Sequence, residues 1–181
     1  MEYFDVCDSG GNITGQIVAR DIAHRDGISH RTAHTWVVRR VDDRWQVLLQ
    51  KRAINKDAFP GMYDTSSAGH IPAGDEPLDS ALRELQEELG ICARPEQLHF
   101  AGVFHGHYEK MFHGHMFRDN EFAHVFVYME PVDISQLVLQ AEEVERVDWF
   151  DLETVWAELP THRDIYCVPT QGMALLRDYL S

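Results

Sequence analysis

The sequence is poor in cysteine and in positive charge, and it has no long apolar run. Its three cysteines, Cys7, Cys92 and Cys167, are widely spaced, which excludes a disulfide framework and a zinc-finger pattern. We expect them to be reduced, small, buried side chains. No apolar stretch approaches the roughly 20 residues that cross a bilayer, and the N-terminus lacks the charged and apolar regions of a signal peptide. These absences predict a cytoplasmic protein without a membrane partner.

The chain carries 16 Lys and Arg against 30 Asp and Glu, which gives a formal net charge of −14. A charge of this sign argues against binding to duplex nucleic acid, because Lys and Arg neutralise the phosphates in such complexes. A small anionic substrate is compatible with it only where metal ions and a few local cations mask the field. The 181 residues predict one domain with a substantial core, and a homodimer is left open.

The strongest local pattern lies in residues 69–91, GHIPAGDEPLDSALRELQEELGI. Pro77 suits the first turn of a helix, and Gly90 ends it. Asp75 or Glu76 can cap that helix. The apolar residues recur at helical spacing and predict a buried stripe formed by Leu78, Ala81, Leu82, Leu85 and Leu89. The sequence therefore predicts an amphipathic helix that follows a glycine-bearing loop.

Three glutamates, Glu84, Glu87 and Glu88, stand at positions i, i+3 and i+4 of this helix, so their carboxylates lie close together. Like charges at these spacings destabilise a helix by about 0.2–0.5 kcal/mol per pair. A hard divalent cation reverses the sign of this interaction, and Mg²⁺ commonly shares its ligands with substrate phosphates. The spacing predicts a site for Mg²⁺, or for Mn²⁺ in its place, and a solvated acidic helix face is the alternative.

The same residues resemble the Nudix box of the Nudix hydrolase superfamily. The match runs through Gly69, Asp75, Arg83, Glu84, Leu85, Glu87, Glu88, Gly90 and Ile91, and it departs from the family pattern at Asp75, where the family has Glu. The resemblance implies the Nudix fold and a Mg²⁺-dependent hydrolase that cleaves a diphosphate linkage in a small molecule by water attack. It gives structural roles within the box to Gly69, Asp75, Arg83 and Gly90. We expect Arg83 to point away from the metal ligands and to brace the box through an ion pair.

The rest of the chain predicts strands first and helices last. Segments rich in β-forming residues lie at positions 3–7, 15–19, 32–39, 45–50, 64–70, 100–103 and 121–130, and a charged loop at 140–150 leads into a last strand. Residues 20–30 are interpreted as a polar connection. Asp151 is the predicted N-cap of a short helix, and residues 168–180 form a terminal helix. This order predicts an α/β fold, a mixed-sheet α/β/α sandwich with an N-terminal hairpin (1–29), a core (30–160) and a C-terminal helix (168–181).

A cationic segment, residues 51–64, stands out in this acidic chain. We expect Arg52 and Lys56 to bind the far phosphate of a diphosphate, and the alternative is a pair of surface charges beside a hairpin. The Nudix resemblance further implies that a glutamate deprotonates the attacking water. The candidates for this base are Glu87, Glu88 and Glu143.

The resemblance extends over about residues 3–149 to type 1 isopentenyl diphosphate isomerase and its related Nudix hydrolases, through segments such as TAHTWVV and SSAGH. In that isomerase a catalytic cysteine precedes Gly-His, whereas Ala68 stands here. Allylic isomerisation needs a proton donor and a proton acceptor, and an alanine is neither. The isomerase also degrades the box that is intact here, so a hydrolase is favoured. An isomerase, a non-catalytic phosphate-ligand sensor and an interaction domain stay as alternatives.

The first metal site of the isomerase has matching residues in this chain, namely His24, His30, His70, Asp119 and Glu121. We hypothesise that they form a second centre, and such a donor set suits manganese, zinc or iron better than Mg²⁺. Two His-Gly-His triplets, at 105–107 and 113–115, are expected to flank a hairpin tip near the pocket, with a metal site as the alternative. The aromatic residues that suit either the core or a substrate wall are Trp36, Tyr63, Phe104, Tyr108 and Phe117, so the sequence does not select a substrate.

Overall fold

A computed structural model describes residues 1–181 and contains nine strands and four α-helices. The strands are β1 (Tyr3–Cys7), β2 (Ile13–Ala19), β3 (His30–Val41), β4 (Arg44–Arg52), β5 (Tyr63–Asp64), β6 (Ser67–His70), β7 (Leu98–Phe112), β8 (His115–Tyr128) and β9 (Val144–Asp151). The helices are α1 (Arg20–Asp26), α2 (Pro77–Leu89), α3 (Leu152–Glu158) and α4 (Thr170–Leu180). None of these helices has the length and apolar composition that a bilayer crossing requires.

Seven strands form one mixed sheet in the order β5-β4-β3-β8-β7, with β6 paired to β3 and β9 paired to β4. The pair β3–β8 is parallel, while β4, β6 and β9 pair in antiparallel register. Strand β3 is buried on both faces from His30 to Val38, which is the expected burial of a central strand covered on both sides.

Helices cover both faces of this sheet. On one face, Ala81, Leu85 and Leu89 of α2 pack against apolar side chains of β3, β4 and β8. On the other face, α3 and α4 contribute a second cluster that contains Val155 and Leu176. The apolar stripe of α2 and the α/β/α order are therefore confirmed. The side chain of Asp151 caps α3 by accepting a hydrogen bond from the Thr154 N–H at 2.9 Å, as predicted.

The N-terminal hairpin β1–β2 forms a separate two-stranded sheet, and α1 follows it directly. The interpretation of residues 20–30 as a polar connection is therefore wrong. Helix α1 buries Ala23 and His24 and ends at Gly27, whose φ of 69° suits glycine. The helix has only seven residues, so its apolar periodicity spans fewer than two turns and gives a weak sequence signal.

Strands β7 and β8 are much longer than predicted, with 15 and 14 residues. The pairing of β8 with β3 begins at Glu121, so residues 107–120 project beyond the sheet as a two-stranded ribbon. One cysteine expectation also fails, because Cys92 is exposed, whereas Cys7 is buried and Cys167 is partly buried.

Candidate active site

A cavity of about 1580 Å³ opens beside α2, the helix that carries the box glutamates, and lies between α1, the ribbon and the loop that follows β4. It exceeds the roughly 300–1,000 Å³ of ordinary small-molecule pockets, so it has room for more than a diphosphate. The predicted site residues that line it are His24, Arg52, Lys56, Gly69, His70, Glu84, Glu87, Glu88, Asp119, Glu121 and Glu143. His30 lies behind this wall, in contact with the ring of His70.

The three glutamates of α2 have different surroundings. Glu88 is 5 % exposed and accepts hydrogen bonds from the Gln50 side chain at 3.0 Å and the Ala68 N–H at 3.1 Å. Burial raises the pKa of Glu88 to about 8, and it also raises the pKa of Glu84. The carboxylate of Glu87 is half-exposed. Three carboxyl groups of increasing exposure, from Glu88 through Glu84 to Glu87, therefore face the same cavity.

Gly69 is required where β6 passes the α2 helix. A Cβ at this position would lie 2.6 Å from Cγ of Glu84 and closer still to its Cδ, so the Glu84 side chain would have to move. Gly90 ends α2 with a φ of 72°, and a Cβ there would meet the backbone of Val138 at 3.0 Å. These two glycines thus allow Glu84 and the end of α2 to occupy their positions.

Arg83 does not point away from the carboxylates, so that prediction is wrong. Its Nη1 lies 2.7 Å from Oε1 of Glu84 and 3.4 Å from Oε2 of Glu87, and its Nη2 donates to the His70 carbonyl at 3.3 Å. The positive guanidinium is attracted to the two negative carboxylates beside it on α2, Glu84 and Glu87. It does brace the box, because it connects α2 to the end of β6.

Asp75 was expected to stabilise the loop before the helix, but its side chain is exposed and has no hydrogen bond or ion pair within the chain. Glu76 occupies the N-cap position of α2 without a side-chain capping bond. The backbone of Asp75 is engaged, since its carbonyl accepts from the guanidinium of Arg31 and its N–H donates to the Pro72 carbonyl. Neither acid therefore has the bracing or capping contact that the sequence predicted.

The two predicted cations are both paired with acids. Arg52 contacts Asp64 at 3.2 Å and donates to the Ala58 carbonyl at 3.0 Å. Lys56 is bonded to the carboxylate of Glu143. All of these residues line the cavity, so a phosphate that binds here has to compete with the carboxylates for the two cations.

The histidines predicted for a second centre do come together. The ligand atoms of His24, His30 and His70 lie within 4.8 Å of one another, as do those of His30, Asp119 and Glu121. Nδ1 of His24, Nε2 of His30 and Oδ1 of Asp119 are buried without a hydrogen-bond partner. Burial lowers the pKa of His24 to about 4 and also lowers the pKa values of His30 and His70, which favours neutral rings. Neutral imidazoles with unpartnered nitrogens beside a carboxylate fit a transition-metal ion.

The sequence reasoning missed His34, which lines the cavity and lies 3.4 Å from the carboxylate of Glu121. Burial opposes the charge on this ring, but Glu121 outweighs it and raises the pKa of His34. The sequence did contain a signal for His34, since His30, Thr32 and His34 alternate along one strand and therefore share a face.

The His-Gly-His triplets do not converge. His105 bonds to Asn120 at 2.7 Å and stacks on Phe122, while His113 stands at the ribbon tip. Among the aromatic candidates, Trp36 is fully buried in the core. Those that line the cavity are Tyr108 and Phe117.

A family model described as NUDIX domain matches residues 29–168 of the chain. Nudix hydrolase 3 of Arabidopsis thaliana is 40 % identical over 154 residues, which cover 84 % of this chain and 19 % of that protein. An uncharacterized Nudix hydrolase of Clostridium acetobutylicum is 37 % identical over 143 residues, which cover 79 % of this chain and 66 % of the relative. The chain thus spans less than two thirds of either relative.

Solved structures of the same fold include the protein DR0079 from Deinococcus radiodurans, with a TM-score of 0.72, 17 % identity and coverage of 98 % and 99 % of the two chains. Another is the NUDIX domain of NrtR from Shewanella oneidensis, solved in complex with ADP ribose. It has a TM-score of 0.60, 15 % identity and coverage of 83 % and 87 %. At these identities the similarity shows the fold alone.

Proposed function

The chain belongs to the NUDIX family, and from this premise we propose that it is a hydrolase that cleaves a diphosphate linkage in a small molecule with the help of Mg²⁺ or Mn²⁺. The observation that supports the proposal most is the presence of the box glutamates and of two cationic side chains, Arg52 and Lys56, in one cavity. The relatives named above are called Nudix hydrolases, which agrees with this activity.

Glu84 and Glu88 suit ion binding, because both are largely buried and Glu88 is oriented by two hydrogen bonds. A divalent cation held there supplies charge neutralisation at the phosphoryl oxygens and a lower pKa for water. Glu87 and Glu143 have more exposed carboxylates, which suits removal of a proton from the attacking water. Arg52 and Lys56 hold the far phosphate after they exchange their carboxylate partners for it.

The test is a set of carboxylate-to-amide variants assayed for phosphate release against a panel of nucleoside, dinucleotide, sugar-nucleotide and prenyl diphosphates. Glu88→Gln is expected to lower kcat by about 10²–10⁴-fold or more without unfolding the protein. The control is Glu96→Gln, at an exposed acid far from the cavity. Wild-type turnover in both Glu87→Gln and Glu88→Gln would contradict the scheme. Conversion of isopentenyl diphosphate to its isomer in the same panel would support the isomerase alternative.

We also propose that His24, His30, His70, Asp119 and Glu121 hold a transition-metal ion, which is the second centre implied by the isomerase-like segments. The support is the set of unpartnered buried nitrogens and the unpartnered carboxylate oxygen. Metal analysis of purified protein should show loss of this ion in His24→Ala and in His70→Ala. His107→Ala, at an exposed ribbon residue, is the matched control. Unchanged stoichiometry in both cavity variants would remove the second centre.

A further inference from the structure

The loop 71–76 joins the end of β6 to the start of α2, so its conformation fixes how the box helix stands against the strand. The loop takes its support from outside the box. The Gly74 N–H donates to Oδ2 of Asp5 at 2.9 Å, and Nη2 of Arg31 donates to the Asp75 carbonyl at 2.9 Å. Asp5 and Arg31 contact each other at 2.8 Å. One ion pair thus binds two consecutive backbone groups of the loop.

Both members of this pair are buried, with Asp5 8 % exposed and Arg31 6 % exposed. A buried ion pair needs further hydrogen bonds to compensate for lost hydration, and the loop backbone provides two of them, while Nε of Arg31 has no partner. Two backbone bonds complete the attachment, from the Ala73 N–H to the Tyr3 carbonyl at 2.8 Å and from the Ile71 N–H to the Arg31 carbonyl at 3.1 Å. Strands β1 and β3 therefore hold the loop at four points.

Phe4, which precedes Asp5 in β1, contacts two histidines of the proposed second centre. Phe4 is fully buried, and its ring stacks on His70 at 4.6 Å and on His30 at 4.9 Å between centroids. The hairpin therefore contacts the last residue of β6 as well as the loop that follows it. Through this strand, the position of the loop and the orientation of two imidazoles depend on the same element.

We propose that Asp5 and Arg31 are positioning residues of the active site, which take over the support that the exposed Asp75 does not give to the box loop. The inference rests on the proposed function, since it assigns the hairpin to the cation-binding machinery. On this view the hairpin β1–β2 is part of the site, and the ion pair acts through the loop on Glu84, Glu88 and His70.

The test uses Mn²⁺ as the probe, because the signal of the free ion in electron paramagnetic resonance reports binding directly. Asp5→Asn keeps the size of the side chain and removes its charge, and we expect the affinity for Mn²⁺ to fall by about 10–100-fold. Asp5→Glu should recover part of the loss, since it restores the charge. Measurements are made below the melting temperature of each variant, with folding checked by circular dichroism.

The control is Glu153→Gln, which breaks an exposed ion pair with Arg177 of the same 2.8 Å length and should leave Mn²⁺ binding unchanged. If Asp5→Asn binds Mn²⁺ like the wild type and only melts earlier, the pair is merely stabilising and the proposal is overturned. Hydrogen exchange at the Gly74 amide separates this result from a failure of the proposed function. If the wild type neither binds Mn²⁺ nor cleaves a diphosphate, the proposed function fails. Unchanged hydrogen exchange of the Gly74 amide in Asp5→Ala would then also overturn the support of the loop by Asp5, whereas faster exchange would support it.

Discussion

At the scale of single residues, the burial of the Glu88 carboxyl group carries a cost that the proposed cation would offset. Its side chain is enclosed by β4, β6 and α2, and its partners are an amide and a backbone N–H that solvate an anion only in part. Burial therefore favours the protonated form, which explains the raised pKa. A bound divalent ion would favour the ionised form instead.

This difference predicts a pH dependence of stability. The pKa of Glu88 lies at about 8 in the folded protein, against an ordinary value near 4.5. Between these values the folded state keeps a proton that the unfolded state releases, so the free energy of unfolding falls as pH rises. In chelator-treated protein, Glu88→Gln should therefore gain stability relative to wild type from pH 5 to about 8. Urea denaturation at several pH values measures the gain.

Other buried groups titrate in the same range, among them Asp119, whose pKa is raised by burial and by Glu121. The comparison of wild type with Glu88→Gln cancels their contributions. Addition of Mn²⁺ should remove most of the difference, because the ion stabilises the ionised wild-type side chain. Parallel stability profiles of the two proteins with pH would contradict the assignment of the raised pKa.

At the scale of secondary-structure elements, the parts that could be predicted are those with a strong local signal. Helix α2 could be predicted because its apolar stripe persists over 13 residues between a proline and a glycine. Helix α3 was readable from its N-cap. Helix α1 is short, and the ribbon is polar and rich in glycine and histidine, so neither has a clear period. Both are positioned by tertiary contacts that sequence spacing does not contain.

The site residues also divide into those that the sequence could predict and those that it could not. The carboxylates of α2 follow from spacing along one helix, and the histidine cluster follows only from the resemblance, since its members come from α1, β3 and β6. The support of the loop by Asp5 was not predictable, because it joins residues 69 positions apart. The position of Arg83 differs from the prediction because the carboxylates of Glu84 and Glu87 on the same helix attract its guanidinium.

A further prediction at this scale concerns an aromatic contact of the ribbon and its effect on KM. Phe112 of the ribbon contacts two aromatic residues that line the cavity, Phe117 at 6.0 Å and Phe59 of the loop after β4 at 5.1 Å between centroids. Phe112→Ser should loosen this contact and raise KM by about two- to tenfold with little change in kcat, which corresponds to the ~0.5–1.5 kcal/mol of an aromatic pair. Steady-state kinetics on the best substrate of the panel measure it. Met111→Ser, at an exposed neighbour, is the control, and equal effects of both variants would contradict a role for the contact.

At the scale of the whole molecule, the net charge of −14 and the site have to be considered together. The cations near the box are paired with Asp64 and Glu143, so they do little to reverse the field inside the cavity. A negative field attracts divalent cations and repels a free diphosphate. Under the proposed function, the cation would therefore bind first and the anionic substrate would bind as its complex.

This order predicts that salt weakens cation binding. The Debye length falls from about 30 Å at 0.01 M to about 10 Å at 0.1 M salt, so distant charges stop contributing. We expect the Kd for Mn²⁺ to rise several-fold between those concentrations of KCl. A triple variant, Asp42→Asn, Glu130→Gln and Asp178→Asn, removes three exposed carboxylates outside the cavity and changes the charge from −14 to −11. It should bind Mn²⁺ more weakly at low salt and like the wild type at high salt. A Kd that is independent of salt in both proteins would show that the ion responds only to its immediate ligands, and the charge of the molecule would then have no part in the site.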